Sequence, residues 1–226
     1  MFNQEFFLTQ LGNRENTQDV INVLQLLEPE PYATGRLKDF EKQLVSNTKT
    51  WDICSVLSLY SKLFKPSSYL EIGVRRGKSM ANILFFSRHC KAYGFDIWIA
   101  NYAGISNPGP DFVRAEMKKI GHLGELVLIH GDSHVTVPLF IKNNSQIRFD
   151  IALIDGDHSY EGAMKDLENV APVIKQNGIL VFDDIYDTTN TPWLLNTWKS
   201  FLAQHKEFVQ IAENKDFTGT AIAIKV

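Results

Sequence analysis

The chain has 226 residues, of which 44% are hydrophobic and 22% charged, and its formal net charge is −3. This length and composition fit one globular domain with a sizeable core, or one domain with an appendage. The slightly negative charge gives no indication of a bulk basic surface of the kind that binds nucleic acid, so we expect no nucleic-acid partner.

The first third of the chain has the apolar spacing of α-helices. The predicted helices are 17–27, 37–45 and 51–64. Thr17 is the candidate cap of the first helix, two prolines and a glycine break the pattern at 28–35, and Pro66 ends it. We expect residues 1–66 to form a helical extension or cap that offers a surface for homo-oligomers, and residues 67–226 to form the main domain.

From residue 68 onward, short apolar runs alternate with helical stretches. The runs are 69–72, 92–95, 126–129, 151–154 and 179–182. The helical stretches between them are 78–89, 111–120, 133–142 and 160–175. This alternation predicts βαβ units and a parallel sheet covered on both faces. A last helix at about 191–205 and strands at 208–212 and 220–225 would add an antiparallel pair at one edge.

The cysteines and the N-terminus indicate the compartment. Cys54 and Cys90 lack CxxC spacing, so we expect buried free thiols rather than a disulfide or a zinc site. The N-terminal residues lack the basic and apolar segments of a signal peptide. No apolar run approaches the ~20 residues that span a bilayer. We therefore expect a cytoplasmic protein with no membrane partner.

Acidic residues recur where the predicted parallel strands end, and ligands bind beyond these carboxyl ends in such sheets. The acids at the five strand ends are Glu71, Asp96, Asp132, Asp155, Asp157, Asp183 and Asp184. Acids repeated at one rim are the strongest pattern in the sequence.

The first strand end carries a glycine turn, Glu71-Ile-Gly73-Val-Arg-Arg-Gly77-Lys-Ser79. Glycine permits a close backbone approach, and a helix start favours an anion. The alternative is a plain strand-to-helix turn with a capping serine. The spacing differs from the G-x-G-x-x-G of dinucleotide dehydrogenases.

This turn resembles motif I of the class I S-adenosylmethionine-dependent methyltransferases, and its trailing serine is shared with the catechol O-methyltransferase-like group. The resemblance implies an α/β, Rossmann-like sheet that is mostly parallel, with seven strands, an antiparallel edge hairpin and extra N-terminal helices. It also implies that Gly73 packs beside the cofactor and that Glu71 orients the loop and the cofactor's amino group. Ser79 and the amides near Gly77 would meet the methionine carboxylate.

The second and third strand ends extend this resemblance. Asp96 would accept hydrogen bonds from the ribose hydroxyls, and Asp132 and Ser133 would meet the adenine. The alternatives are an exposed loop aspartate at Asp96 and a helix cap at Asp132 or Ser133. Neither His130 nor His134 is assigned a role.

The fourth and fifth strand ends predict a metal site. Asp155, Asp183 and Asp184 would repel one another unless they are protonated or bridged by a cation, and Mg²⁺ or Mn²⁺ suits oxygen ligands. The alternative is that these acids cap helices and face solvent. The set resembles the metal-dependent O-methyltransferases, in which these positions hold the ion and Asp155 also borders the cofactor.

The segment Asp-Gly-Asp-His-Ser-Tyr-Glu, which begins at Asp155, is closer still to the macrolide sugar O-methyltransferases and the cephalosporin-hydroxylase-like group. By this resemblance His158 is the catalytic base. The catechol enzymes use a lysine instead, so the histidine disfavours a catechol. The alternative is a helix-start histidine without a role.

The leading hypothesis is a metal-assisted O-methyltransferase that acts on a hydroxyl of a small molecule, such as a sugar or glycosylated metabolite. The alternatives are a hydroxylase-like member of the same fold and a cofactor-binding protein without catalysis. The loops at 97–110 and 186–192 are the candidate walls of the substrate site.

Overall fold

The computed structural model describes residues 3–226, and helices alternate with strands through most of the chain. Its α-helices are α1 (Gln4–Gln10), α2 (Arg14–Leu24), α3 (Pro31–Ser46), α4 (Ile53–Phe64), α5 (Lys78–Leu84), α6 (Pro110–Lys119), α7 (Ser133–Asn143), α8 (Tyr160–Val170) and α9 (Leu194–Gln204). Its strands are β1 (Ser68–Ile72), β2 (Lys91–Asp96), β3 (Leu126–His130), β4 (Phe149–Ile154), β5 (Ile174–Asp183), β6 (Phe208–Glu213) and β7 (Thr220–Lys225). Short 3₁₀ turns occur at Tyr102–Gly104 and Ala171–Val173.

The strands form one seven-stranded sheet in the order β3-β2-β1-β4-β5-β7-β6. Strands β1 to β5 pair in parallel, and β7 is antiparallel to both of its neighbours, β5 and β6. This confirms the predicted Rossmann-like sheet with an antiparallel edge pair. The strand order reverses between β1 and β4, which is where such sheets bind ligands.

Both faces of the sheet are buried, which explains why its strands are continuous apolar runs. On one face, Tyr69, Ile151 and Val181 pack with helices α1–α6. On the other face, Leu70 and Phe182 belong to the core formed with α7, α8 and α9. None of the helices within residues 3–226 is long and apolar enough to cross a membrane.

The N-terminal helices share the first of these cores with the sheet. They are also tied to the C-terminal hairpin, because the Trp51 amide donates to Asp216 Oδ2 at 3.2 Å and the Arg36 guanidinium lies 3.8 Å from the centroid of the Phe217 ring. The domain boundary at residue 66 stays a prediction.

Several helix limits differ from the sequence predictions. Helix α2 begins at Arg14 because Asn13, not Thr17, is its cap, and the Asn13 side chain accepts from the Asn16 amide. Helix α3 begins at Pro31 and runs through the predicted break, since proline suits a first helical turn. Helix α1 was not predicted.

The predicted helices 78–89 and 160–175 both extend too far. Helix α5 ends at Leu84, and helix α8 ends at Val170 because the chain turns there and enters β5 at Ile174. Both cysteines are buried free thiols, as predicted.

Candidate active site

A cavity of about 470 Å³ opens at the carboxyl ends of the parallel strands, across the reversal between β1 and β4. Nine of the eleven predicted site residues line it, namely Gly73, Ser79, Asp96, Asp132, Ser133, Asp155, His158, Asp183 and Asp184. The other two, Glu71 and Gly77, lie behind the wall. The sequence pattern therefore located the cavity from strands that are far apart in the chain.

The first glycine of the turn leaves no room for a side chain, because the backbone after β4 lies close to it. Gly73 has a φ of +91°, and a Cβ there would lie 1.8 Å from the carbonyl oxygen of Asp155. Gly77 has a φ of +80°, and a Cβ there would lie 3.1 Å from both Met117 and Val113 on α6. Both glycines thus fix how the turn meets its neighbours, and only Gly73 borders the cavity.

Glu71 is fully buried behind the turn. Its carboxyl accepts hydrogen bonds from the Tyr69 hydroxyl at 2.9 Å and from the Ser79 hydroxyl. Burial raises the pKa of Glu71 to about 8, against the lowering effect of those two hydrogen bonds. Glu71 therefore sets the position of Ser79.

Asp96, at the end of β2, holds the backbone around it. One oxygen accepts from the Arg75 amide at 2.7 Å and the other from the Trp98 amide. The Trp98 indole in turn donates to the Arg75 carbonyl at 2.9 Å. Each carboxylate oxygen keeps a lone pair for a further hydrogen bond at the cavity wall.

The end of β3 provides both a cap for helix α7 and part of the cavity wall. Asp132 caps α7 by accepting from the His134 amide at 2.8 Å, and Ser133 lines the cavity. His134 also lines it, and its Nε2 lies 3.6 Å from Oδ1 of the fully buried Asp166. Burial raises the pKa of Asp166 to about 6. Sequence reasoning missed this pair because its members lie on different helices.

The strongest constellation of charged groups lies at the ends of β4 and β5. Nε2 of His158 is 3.2 Å from Oδ1 of Asp155, and its Nδ1 is 3.6 Å from Oδ2 of Asp184. Potential ligand atoms of these three residues all lie within 4.8 Å of one another. Asp183 turns aside and accepts from the Thr220 hydroxyl at 2.7 Å.

The electrostatics of this cluster are strongly coupled. Burial lowers the pKa of His158, but Asp155, Asp184 and Asp183 outweigh it and raise the value to about 9. Burial and the neighbouring carboxylates raise the pKa of Asp183 and of Asp184. The two carboxylates of this cluster are a donor set that fits a divalent cation, which would replace the protonated ring as their counter-charge.

The mouth of the cavity is formed by segments outside the strand ends. The loop predicted at 97–110 contributes Ile97, Ile99, Tyr102 and Asn107, and the N-terminal region contributes Glu30, Tyr32 and Ile53. Within the described part of the chain, no residue of the predicted loop 186–192 lines this cavity. The N-terminal residues were not predicted, because no motif marks them.

Comparison with known proteins agrees with this geometry. A family model described as a methyltransferase domain matches residues 70–185. A search of curated proteins finds no match. The apo structure of CalS11, a TDP-rhamnose 3'-O-methyltransferase of calicheamicin biosynthesis, is 20% identical, with a TM-score of 0.60 and 93% of each chain covered.

Two further solved structures share the fold. An O-methyltransferase from Bacillus cereus in complex with SAH is 15% identical, with a TM-score of 0.59, 91% of this chain and 96% of that chain covered. The SAH-bound methyltransferase PaMTH1 from Podospora anserina is 16% identical, with a TM-score of 0.57, 92% of this chain and 88% of that chain covered.

Proposed function

The chain belongs to the methyltransferase-domain family and is an S-adenosylmethionine-dependent methyltransferase, and from this premise we propose that it is a divalent-metal-assisted O-methyltransferase of small hydroxylated molecules. The observation that carries the proposal is the cluster of Asp155, His158 and Asp184 in the wall of the cofactor cavity. A histidine between two carboxylates gives one site both a proton acceptor and metal ligands.

His158 is the proposed base. An alcohol is a poor nucleophile near neutral pH, so its proton must leave as the new bond to carbon forms. His158 accepts that proton only when its ring is neutral, whereas Asp155 and Asp184 raise its pKa to about 9. A cation held by these carboxylates would engage the groups that raise the pKa of His158, and it would supply positive charge that favours loss of the hydroxyl proton.

Asp155 and Asp184, which line the cavity, are the proposed metal ligands, and Asp183 would complete the set if its side chain left Thr220. Mg²⁺ or Mn²⁺ suits carboxylate oxygens, and either ion would supply a binding position for a substrate hydroxyl. The hydrogen bond from the Trp193 indole to the His158 carbonyl, at 2.6 Å, orients the segment that carries the base.

The cofactor residues are proposed in the order of the strands. Asp132 and Ser133 border the adenine, Asp96 accepts from the ribose, and Gly73 and Ser79 border the methionine part. When bound, the cofactor supplies an electrophilic methyl group, so the chain mainly has to orient the acceptor oxygen in line with it.

The proposed acceptor is a sugar or glycosylated metabolite. Support comes from the histidine in the place where the catechol enzymes use a lysine, and from a structurally similar enzyme that is a TDP-rhamnose 3'-O-methyltransferase. The mouth also suits such a ligand, because the exposed Tyr32 and Tyr102 rings and the polar side chain of Asn107 line the same cavity.

The test is calorimetry with S-adenosylmethionine in the presence and absence of Mg²⁺, followed by methyl transfer to a panel of sugars, glycosides and catechols. We expect sub-millimolar cofactor binding, and turnover that a chelator abolishes and that Mg²⁺ or Mn²⁺ restores. Turnover that survives chelation would exclude the metal. Transfer to catechols alone would exclude the sugar class.

A further inference from the structure

Arg75 is a cation at the mouth of the cavity without a counter-ion from the chain. It belongs to the glycine turn, lines the cavity and is half-buried. Its guanidinium lies 5.4 Å from the centroid of the Tyr102 ring and 5.9 Å from that of the Tyr32 ring. Among the described residues, no carboxylate forms an ion pair with it. The two rings hold the charge by cation–π contacts and leave its N–H donors for a ligand.

The neighbouring Arg76 has the partners that Arg75 lacks. Its guanidinium forms an ion pair with Glu28 at 3.0 Å and donates to the Ser106 carbonyl at 3.2 Å. It also lies 4.3 Å from the centroid of the Phe112 ring. The chain therefore supplies an anion to one of two adjacent arginines and leaves the other for an anion from outside.

The backbone of Arg75 is held in a left-handed conformation, with a φ of +49°. Its amide donates to Asp96 Oδ2 at 2.7 Å, and its carbonyl accepts from the Trp98 indole at 2.9 Å. These hydrogen bonds fix the residue from both sides, and its side chain extends toward Tyr102. Such a conformation is costly for a residue other than glycine, and the fixed backbone limits where the guanidinium can lie.

The turn that carries Arg75 begins beside the proposed reaction centre. Gly73 lies against the Asp155 carbonyl, which a Cβ on Gly73 would approach to 1.8 Å. Two residues of chain span at most about 7 Å, so the backbone of Arg75 is close to this contact. Asp155 belongs to the cluster with His158 and Asp184, and Arg75 lines the same cavity as that cluster. An acceptor whose hydroxyl lies at the cluster therefore has a cation nearby.

The cofactor alone does not balance the unpaired cations of the cavity. Lys78 also lines the cavity, and within the described part of the chain it too forms no ion pair. S-adenosylmethionine has one carboxylate, so it can pair with only one of these two cations. Arg75 lies beside the exposed rings at the mouth, where an acceptor enters. The second anion is therefore expected on the acceptor.

We propose that Arg75 binds a phosphate group of the acceptor, so that the substrate is a phosphorylated sugar rather than a neutral glycoside. This inference rests on the proposed O-methyltransferase function and narrows its substrate class. A guanidinium presents paired N–H donors that match two oxygens of a phosphate. The Tyr32 and Tyr102 rings, which are 40% and 43% exposed, flank that position and leave apolar surface for the rest of the ligand.

The test is calorimetry of wild type and Arg75→Gln, both loaded with S-adenosylhomocysteine and freed of divalent cations so that no phosphate binds through a metal. The ligands are glucose 1-phosphate, UDP-glucose, glucuronate and methyl glucoside. We expect a phosphate ligand to bind wild type about tenfold or more tightly than methyl glucoside. Arg75→Gln should abolish that preference and change the Kd of S-adenosylhomocysteine by less than about threefold. The tighter of the two phosphate ligands shows whether a monoester or a nucleoside diphosphate is preferred.

Two further variants separate the charge of Arg75 from its shape and from its surroundings. Arg75→Lys keeps the charge but loses the planar fork, so it should retain part of the preference for phosphate. The matched control is Arg76→Gln, which removes the adjacent guanidinium that Glu28 already pairs. It should change each dissociation constant by less than about threefold. Thermal unfolding checks that every variant is folded.

Several outcomes would overturn the inference. They are equal binding of neutral and phosphate ligands to wild type, tighter binding of glucuronate than of either phosphate, an unchanged preference in Arg75→Gln, and an equal loss in Arg76→Gln. Weaker binding of S-adenosylhomocysteine by Arg75→Gln would assign Arg75 to the cofactor instead. Methyl transfer to neutral glycosides that Arg75→Gln leaves unchanged would overturn this inference and keep the proposed function. Phosphate binding through Arg75 without methyl transfer to any sugar would overturn the proposed function and leave Arg75 as an anion site.

Discussion

The two halves of the cavity use acidic residues in different ways. At the ends of β2 and β3, Asp96 and Asp132 bond to backbone amides and thereby fix the shape of the wall. At the ends of β4 and β5, Asp155 and Asp184 face one imidazole and hold almost none of the surrounding backbone. We call the first half the frame, because its carboxylates hold the backbone of the cavity wall in place by hydrogen bonds. The second half is a set of charges available to a proton or a cation.

The largest expected effect tests the second half. His158→Ala should lower turnover by about 10²–10⁴-fold, because it removes the proposed base, while the Kd of S-adenosylmethionine changes by less than about threefold. His205→Ala is the control, since His205 pairs with Glu207 away from the cavity. Steady-state kinetics and calorimetry measure the two quantities, and full turnover in His158→Ala would remove the base from the proposal.

The next effect tests the close contact between the glycine turn after β1 and the backbone after β4. Gly73→Ala should lower the free energy of unfolding by about 2–4 kcal/mol, because its Cβ would meet the Asp155 carbonyl. Gly109→Ala is the matched control: its φ is +93°, close to the +91° of Gly73, and its Cβ would meet nothing within 4 Å. Only the conformational cost of about 1–3 kcal/mol remains at Gly109, because its φ of +93° with a ψ of −174° is a region that residues other than glycine rarely adopt. The loss at Gly73 should therefore be the larger of the two. Equal losses in urea denaturation would contradict the role of the close contact.

A smaller effect separates frame from chemistry. Asp96→Asn should raise the Kd of S-adenosylmethionine by about tenfold, because an amide binds the ribose and the Arg75 amide more weakly than a carboxylate does. Turnover at saturating cofactor should change little. Asp111→Asn, at a fully exposed position, is the control. A large loss of turnover with unchanged Kd would place Asp96 among the reacting groups instead.

The smallest effect is a pH dependence of stability that comes from Glu71, which is buried behind the glycine turn. The pKa of Glu71 rises from 4.5 to about 8 on folding, so its favourable contribution is complete below 4.5 and is lost as the pH rises through 8. Glu71→Gln removes this loss. We expect the melting temperature of wild type, minus that of Glu71→Gln, to fall by roughly 3–6 °C between about pH 5 and pH 9. A constant difference would show that Glu71 is ionised throughout.

Most of the fold could be predicted because it depends on local signals. Each predicted apolar run became a strand, since runs of that length are buried on both faces of a parallel sheet. Helix limits were less accurate where tertiary contacts decide them, as at Val170, where the chain leaves α8 to enter β5.

The candidate site could be predicted where one strand end carries it and not where segments meet in space. Asp155, His158 and Asp184 follow two neighbouring strands, so topology alone brings them together. Tyr32 and the pairing of Asp166 with His134 depend on how helices pack, and no local pattern indicates either. For the same reason, no local pattern indicates that Asp183 accepts a hydrogen bond from Thr220, which lies on a strand from the far end of the chain.

The ties between the N-terminal helices and the C-terminal hairpin bear on the order in which the cavity is completed during synthesis. The segments that carry Tyr32 and Ile53 leave the ribosome early, but Arg36 and Trp51 are anchored on Phe217 and Asp216, which leave it last. The nascent chain can therefore pair β1, β4 and β5 and form most of the cavity wall before the N-terminal segments at the mouth have an anchor. A chain that stops short of the final hairpin would retain the glycine turn and the acidic rim, yet it would lack the contacts that hold the first helices over them.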